Sequence, residues 1–80
     1  MECAQGTVVK SLKGHDKGKL FVVVKTEAGY LLLADGKNRK KHNPKKKSQK
    51  HVEITDTHIP EFESLSDKKI RKQLNLLTEK

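Results

Sequence analysis

Five consecutive apolar residues at 20–24 (LFVVV) constrain the fold of this chain more than any other segment. Valine favours extended backbone because its Cβ is branched, and charged or polar residues flank the run, so residues 19–26 are predicted to form a strand. A strand with one face in water alternates apolar and polar side chains, whereas this unbroken run indicates apolar cover on both faces. The chain has 80 residues, of which 32% are apolar. A chain this short forms one domain with a modest core and no deep enzyme cleft.

Four further strands are predicted from residue type and from the turn residues between the segments. They lie at 7–12 (TVVKSL), 30–34 (YLLLA), 37–42 (KNRKKH) and 50–55 (KHVEIT). Together with 19–26 they make five short strands joined by tight connections. This pattern predicts a mainly β fold in the form of a small, strongly bent barrel.

The fourth of these strands is the least apolar. Asp35-Gly36 is typical of a two-residue type I′ turn, because both central residues of that turn need positive φ. Such a turn would return the chain as a short charged strand at 37–42. Asn43-Pro44 then ends the strand, and residues 45–48 are predicted to be loop.

The period of the apolar residues changes near the end of the chain. Ile70, Leu74 and Leu77 are spaced by four and three residues, which predicts one face of a helix at 66–79. Ser66 is a suitable N-cap, with Ser64 as the alternative, and Asp67 suits the positive end of the helix dipole. Because so short a helix is unstable alone in water, we expect it to pack on the barrel, over the outer face of strand 19–26. The predicted organisation is a flexible start at 1–5, a barrel at 6–56, a linker at 57–65 and the helix at 66–79.

The net charge of +8 comes from one internal segment. Residues 37–51 carry eight Lys and Arg side chains and no acid, while the other 65 residues hold ten basic and ten acidic side chains. Like charges repel unless an anion relieves them, so this segment favours a nucleic-acid partner. A merely solvated loop and an acidic protein or lipid partner are the alternatives.

The first half of the chain contains a strand-type segment, GTVVKS at 6–11, a glycine-framed loop, KGHDKGK at 13–19, and an apolar strand, FVVV at 21–24. This arrangement resembles the KOW motif, with Gly18 at the position of the family's signature glycine. The continuation, LLADG followed by RKKHNPKKK and KHVEI, is similar to small bacterial KOW proteins akin to large-subunit ribosomal proteins of archaea and eukaryotes. The likeness covers about residues 5–56. It implies an SH3-like five-stranded barrel that binds structured RNA through its first loop and its basic rim.

The resemblance and the charge run together give the candidate site. The predicted RNA-binding residues are Lys13, His15, Lys17, Lys19, Lys37, Arg39, Lys40, Lys41, His42, Lys45, Lys46, Lys47 and Lys50. Gly14 and Gly18 are expected to shape the first loop, since glycine readily takes positive φ. Asp16 is expected to be a turn residue that hydrogen-bonds its own backbone. Phe21 and Phe62 are expected to be apolar anchors. For Tyr30 the choice is between an apolar anchor and a platform for base stacking, and base stacking is the less favoured of the two.

Binding by these cations would release counterions from the phosphate backbone. For a single strand, engagement of about five cations predicts a slope of log affinity against log salt of roughly −3.5. Such contacts fix affinity without reading sequence, so RNA shape would supply specificity. Ribosomal RNA is the expected partner. The alternative is an interaction module that docks on ribosomal proteins or RNA polymerase through Lys68, Lys69, Arg71 and Lys72 on the helix or through the acidic residues at 61–63.

Several other function classes find little support in the sequence. Cys3 is the single cysteine, so no internal disulfide forms and a reducing cytoplasm is expected. The histidines at 15, 42, 51 and 58 lack the spacing of a closed zinc site, and neither a phosphate-binding loop nor a nucleophile beside a base is evident. We therefore expect no catalytic residues, no metal, no cofactor, no signal peptide and no membrane association, and we expect a monomer.

Overall fold

The computed structural model describes residues 5–78. Cys3 and most of the predicted flexible start lie outside this range. The strands are β1 (Thr7–Ser11), β2 (Leu20–Glu27), β3 (Tyr30–Ala34), β4 (Lys45–Ser48) and β5 (Val52–His58), and α1 spans Asp67–Thr78. Short 3₁₀ turns occupy Gln49–His51, between β4 and β5, and Phe62–Ser64, before α1. The fold is therefore mainly β with one C-terminal helix, as the sequence predicts.

The five strands form one antiparallel sheet in the order β4-β3-β2-β1-β5. β2 is the central strand, and it pairs with β1 through Val8 opposite Val22 and with β3 through Val23 opposite Leu33. β5 returns to pair with β1, with Val52 opposite Ser11. The ladder is irregular between Thr7 and Val9, and again between Val23 and Lys25. Irregularities of this kind increase the local bend and twist of a strand.

The two faces of β2 enter two different apolar clusters. Phe21 and Val23 belong to the first cluster, and Val22 belongs to the second. The first also contains Val9, Leu31, Leu33 and Val52. The second also contains Val8, Ala34, Ile59, Phe62, Ile70 and Leu74. This confirms that the unbroken apolar run of β2 is covered on both sides, and that Phe21 and Phe62 are apolar anchors.

Helix α1 provides the cover on the second face. Ile70 is completely buried and Leu74 nearly so, and both pack in the cluster that contains Val22. The Oγ atom of Ser66 accepts a hydrogen bond from the backbone N–H of Lys69 at 3.3 Å, so Ser66 is the N-cap. The residues before the helix also contribute, because Ile59 and Phe62, inside the predicted linker, are buried in the same cluster.

The prediction of the fourth strand is wrong. Residues 37–42 form turns and irregular loop, and β4 lies at Lys45–Ser48, where loop was predicted. Its partner is β3, with Leu31 opposite Lys47 and Leu33 opposite Lys45. The fifth strand also starts later than predicted, because Gln49–His51 form the 3₁₀ turn, with the Ser48 Oγ accepting from the Lys50 N–H.

Candidate functional site

The β1–β2 loop, residues 12–19, contains two glycines with positive φ, Gly14 and Gly18. Gly18 has a φ of +89°, and its N–H donates to the Ser11 carbonyl at 2.8 Å. The Lys19 N–H donates to the Asp16 carbonyl at 2.9 Å. A side chain at Gly18 would meet no atom within 4 Å, so its backbone conformation alone favours glycine there. Lys13, His15, Lys17 and Lys19 are all exposed on this loop.

Asp16 is the central acid of the candidate site, and it is buried. Lys45 Nζ lies 2.7 Å from its Oδ2, and Lys47 Nζ lies 2.9 Å from its Oδ1. The Ser11 hydroxyl donates to Oδ1 at 2.8 Å. Burial by itself raises the pKa of Asp16, but the hydrogen bonds from Lys45, Lys47 and Ser11 outweigh it and hold that pKa well below its usual range.

These contacts correct the role assigned to Asp16 from sequence. Its carboxylate bonds side chains of β1 and β4, and it does not cap its own turn. The expected local role belongs instead to Asp35, whose Oδ1 accepts from the N–H groups of Lys37 and Arg39 at 2.8 and 2.9 Å. Asp35-Gly36 therefore opens a wide loop at 35–44, and the predicted two-residue turn is wrong.

The lysines of β4 alternate in their contacts, as side chains on a strand must. Lys45 and Lys47 point to Asp16, and Lys47 Nζ also donates to the Lys13 carbonyl at 2.8 Å. Lys46 points the other way, where its Nζ lies 4.0 Å from the centre of the Tyr30 ring. The Lys47 side chain is only 9% exposed. Lys47 is therefore a structural residue more than a surface cation.

The 35–44 loop is attached to the start of α1 at two points. The Lys41 N–H donates to Asp67 Oδ1 at 2.8 Å, and Lys41 Nζ donates to the Leu65 carbonyl at 2.6 Å. Gly36 is buried with a φ of +77°, and a Cβ there would collide with the Asp67 carbonyl oxygen and approach the Arg71 nitrogen to 2.8 Å. Lys41, a predicted RNA ligand, thus serves to hold the loop against the helix.

The two loops meet at one depression. His15, Lys19 and Phe21 line it from one side, Asp35, Asn38 and Arg39 from the other, and Asp16 and Lys45 also contribute. The fold therefore brings together predicted site residues that are twenty or more positions apart in the sequence. The exposed members of the predicted set are Lys13, His15, Lys17, Lys19, Lys37, Arg39, Lys40, His42, Lys46 and Lys50.

Sequence reasoning missed Ser11, Asp35 and Asn38 at this site. Ser11 is buried at the end of β1, and no pattern in the sequence indicates that a serine there lies beside the Asp16 carboxylate. Asp35-Gly36 is typical of a two-residue turn, and that local pattern does not indicate the hydrogen bond from the Arg39 N–H to Asp35 Oδ1.

Comparison with known proteins gives no identification. No protein-family model matches the chain, and no curated protein matches it significantly. Among residues 5–78, no group of His, Cys, Asp or Glu side chains is arranged to hold a metal ion. No helix within the same range is long and apolar enough to cross a bilayer.

Proposed function

We propose that this chain is a non-catalytic protein that binds structured RNA, with ribosomal RNA as the first target to test. The single observation that carries the proposal is the convergence of two cationic loops, 12–19 and 35–44, on one depression. We further propose that the sheet is an SH3-like barrel of the KOW type, which would place both loops on one rim.

The connection between β4 and β5 supports a barrel. These strands are the two edges of the sheet, and in a flat sheet four strand spacings would separate them by about 19 Å. Only Gln49–His51 join them, and the chain from Ser48 to Val52 reaches at most about 14 Å. A flat sheet is therefore impossible, and strong curvature is needed to bring the edges together.

The charge balance supports a polyanionic ligand. Residues 12–19 and 35–51 carry eleven Lys and Arg side chains against two acids, Asp16 and Asp35. Asp16 is paired with Lys45 and Lys47, and Asp35 accepts two backbone N–H groups. Both carboxylates are thus already bonded to groups of the protein, so the exposed cations are available to bind an external anion.

The experiment that tests this function must spare the Asp16 cluster. Reversal of Lys45 or Lys47 would break buried contacts, so a loss of binding would not report on RNA. The exposed loop residues Lys37, Arg39 and Lys40 are better targets. A triple change of these three to Gln lowers the net charge by three. The matched control is the triple change of Lys68, Lys69 and Lys72 to Gln, which removes the same charge from exposed positions on α1.

We expect the wild-type protein to bind fragments of large-subunit ribosomal RNA with steep salt dependence, measured by fluorescence anisotropy between 50 and 200 mM salt. Each lost phosphate contact lowers the salt slope by about 0.7 to 0.9 and the affinity at 0.1 M salt by about 5- to 8-fold. The loop triple variant should therefore lose roughly 100-fold or more in affinity, and the helix triple variant should lose far less. Absence of wild-type binding at 50 mM salt, or equal losses in the two triple variants, contradicts the proposal.

Docking on a protein is the second candidate, and the exposure of Leu76 favours it. Leu76 lies on α1 with 56% of its surface exposed, beside the exposed cations Lys69 and Lys72. An apolar side chain within a basic helix surface suits a protein partner with acidic residues around an apolar pocket. Under this alternative, the helix triple variant abolishes association with the translation or transcription machinery while the loop triple variant leaves it intact.

A further inference from the structure

We infer that Arg71 of helix α1 is part of the RNA-binding surface and contacts the phosphate backbone together with Lys19 and Lys37. The inference rests on the proposed function and extends it to an element outside the KOW resemblance. It divides α1 into a face that joins the RNA surface and a face that does not.

A second depression carries the argument. It is formed where α1 meets the two loops, and its lining includes Gly18, Lys19, Lys37, Arg71 and Asn75. Lys19 and Asp35 line both this depression and the one between the two loops, so the two depressions are adjacent. A cationic surface therefore runs from His15 and Arg39, past Lys19, to Arg71.

The helix is fixed at this position by contacts that do not involve the Arg71 side chain. Gly36 packs directly against the backbone of Asp67 and Arg71, with no space for a Cβ. Lys41 holds the other end of the same loop, through Asp67 Oδ1 and the Leu65 carbonyl. Ile70 and Leu74 anchor the buried side of α1 in the second cluster. The guanidinium of Arg71 is thus attached to a rigid element beside the loop cations, while its side chain remains exposed.

The chemistry of the lining suits a phosphate. A guanidinium offers a planar fork of donors that fits phosphate oxygens, and the Asn75 amide adds a neutral donor of the kind that contacts nucleic-acid backbones. The acid in this depression is Asp35, whose Oδ1 already accepts two backbone N–H groups. Gly18 has open space around its α-carbon, so a ligand can approach its backbone closely.

The test compares Arg71→Gln with Lys69→Gln. Both positions are exposed cations on α1, and two residues along a helix place their side chains about 160° apart, so Lys69 points away from the loops. The probe is a fluorescein-labelled RNA hairpin with an internal bulge, titrated at several salt concentrations. Circular dichroism verifies that each variant keeps its helix.

Arg71→Gln should weaken binding by about 5- to 8-fold at 0.1 M salt and lower the salt slope by about 0.7 to 0.9. Lys69→Gln should leave the slope unchanged, and Arg71→Lys, which keeps the charge, should retain the wild-type slope. An unchanged slope for Arg71→Gln, or equal losses for Arg71→Gln and Lys69→Gln, overturns the inference while leaving RNA binding intact. Failure of the wild-type protein to bind the hairpin overturns RNA binding itself and the inference with it.

Discussion

Replacement of Asp16 by Asn should strongly destabilise the fold, although it preserves the shape of the side chain. The carboxylate is buried and receives the ammonium groups of Lys45 and Lys47 together with the Ser11 hydroxyl. The neutral amide leaves two cations facing each other with no counter-charge. Lys47, whose side chain is 9% exposed, is poorly placed to turn to water, whereas Lys45, at 33%, is freer to do so.

The magnitude follows from these exposures. Removal of one partner from a fully buried ion pair costs about 3–5 kcal/mol, and a hydrogen bond to a charged group contributes about 1.5–3 kcal/mol. Since Lys45 can recover part of its hydration, we expect Asp16→Asn to lower the free energy of unfolding by about 2–4 kcal/mol. A domain of this size has a total stability of only about 4–12 kcal/mol. The loss is therefore readily measurable by urea unfolding at pH 7.

The matched control is Asp56→Asn, which removes one acid from an exposed position on β5. It should change the free energy of unfolding by less than about 0.5 kcal/mol. If Asp16→Asn and Asp56→Asn unfold at the same urea concentration, the carboxylate does not hold the loop to β4 and the reasoning is refuted.

The pH dependence of the same difference gives an independent check. The pKa of Asp16 is lower in the folded state than the value of about 3.9 expected for an unfolded chain. The ion pairs therefore contribute their full stability above that unfolded pKa, and the contribution decreases as the pH falls towards the folded pKa. The stability difference between wild type and Asp16→Asn should be constant between pH 5 and 8 and smaller at pH 3. A difference that grows on acidification would contradict the assignment.

Three further substitutions test how the helix and the loops are held. Gly36→Ala should destabilise the protein more than Gly18→Ala does, because both glycines have positive φ but only at Gly36 would the new Cβ collide with helix backbone; urea unfolding of both variants measures this, and equal losses would contradict it. Ile70→Ala removes a fully buried side chain between α1 and β2, so we expect a loss of about 2–5 kcal/mol in the free energy of unfolding. A loss below about 1 kcal/mol would indicate that α1 does not depend on this packing.

The elements that the sequence predicts well are those with an apolar pattern of their own. The run at 20–24 required cover on both faces, and β2 lies between two apolar clusters. The spacing of Ile70, Leu74 and Leu77 predicted the helix, and Ser66 caps it as expected. Tertiary contacts reinforce these local signals, so the prediction and the fold agree.

β4 could not be predicted in this way, because KKKS contains no apolar residue. Its side chains are stabilised by groups that are distant in the sequence, namely Asp16 for Lys45 and Lys47, and Tyr30 for Lys46. Sequence patterns carry no information about such partners. An edge strand rich in lysine is nevertheless physically sensible, since charged side chains oppose pairing with another chain. The error at 37–42 had the same origin, because Asp35 caps a wide loop whose contacts with α1 are not local.

The sequence predicts the residue types of the candidate site, but it does not predict which of the cations bond other protein groups and which stay exposed. The sequence predicts thirteen RNA-binding side chains, yet Lys45 and Lys47 neutralise Asp16, and Lys41 attaches its loop to α1. Composition counts every lysine and arginine equally. In the fold, however, some of these side chains bond a buried carboxylate or a backbone carbonyl of the protein itself. The exposed cations that remain lie mainly in the two loops.

This internal use of cations also bears on how tightly the loops could bind. A flexible basic segment must lose conformational entropy when it is ordered on a ligand, and that cost lowers its affinity. Here Asp16 ties the 12–19 loop to β4, while Gly36 and Lys41 tie the 35–44 loop to α1. Each loop is thus held by contacts within the protein, and these contacts leave Lys17, Lys19, Lys37 and Arg39 exposed. Because those contacts are separate, loss of the Asp16 pair should loosen the first loop without releasing the second. RNA affinity and protein stability would then depend on overlapping but distinguishable sets of residues.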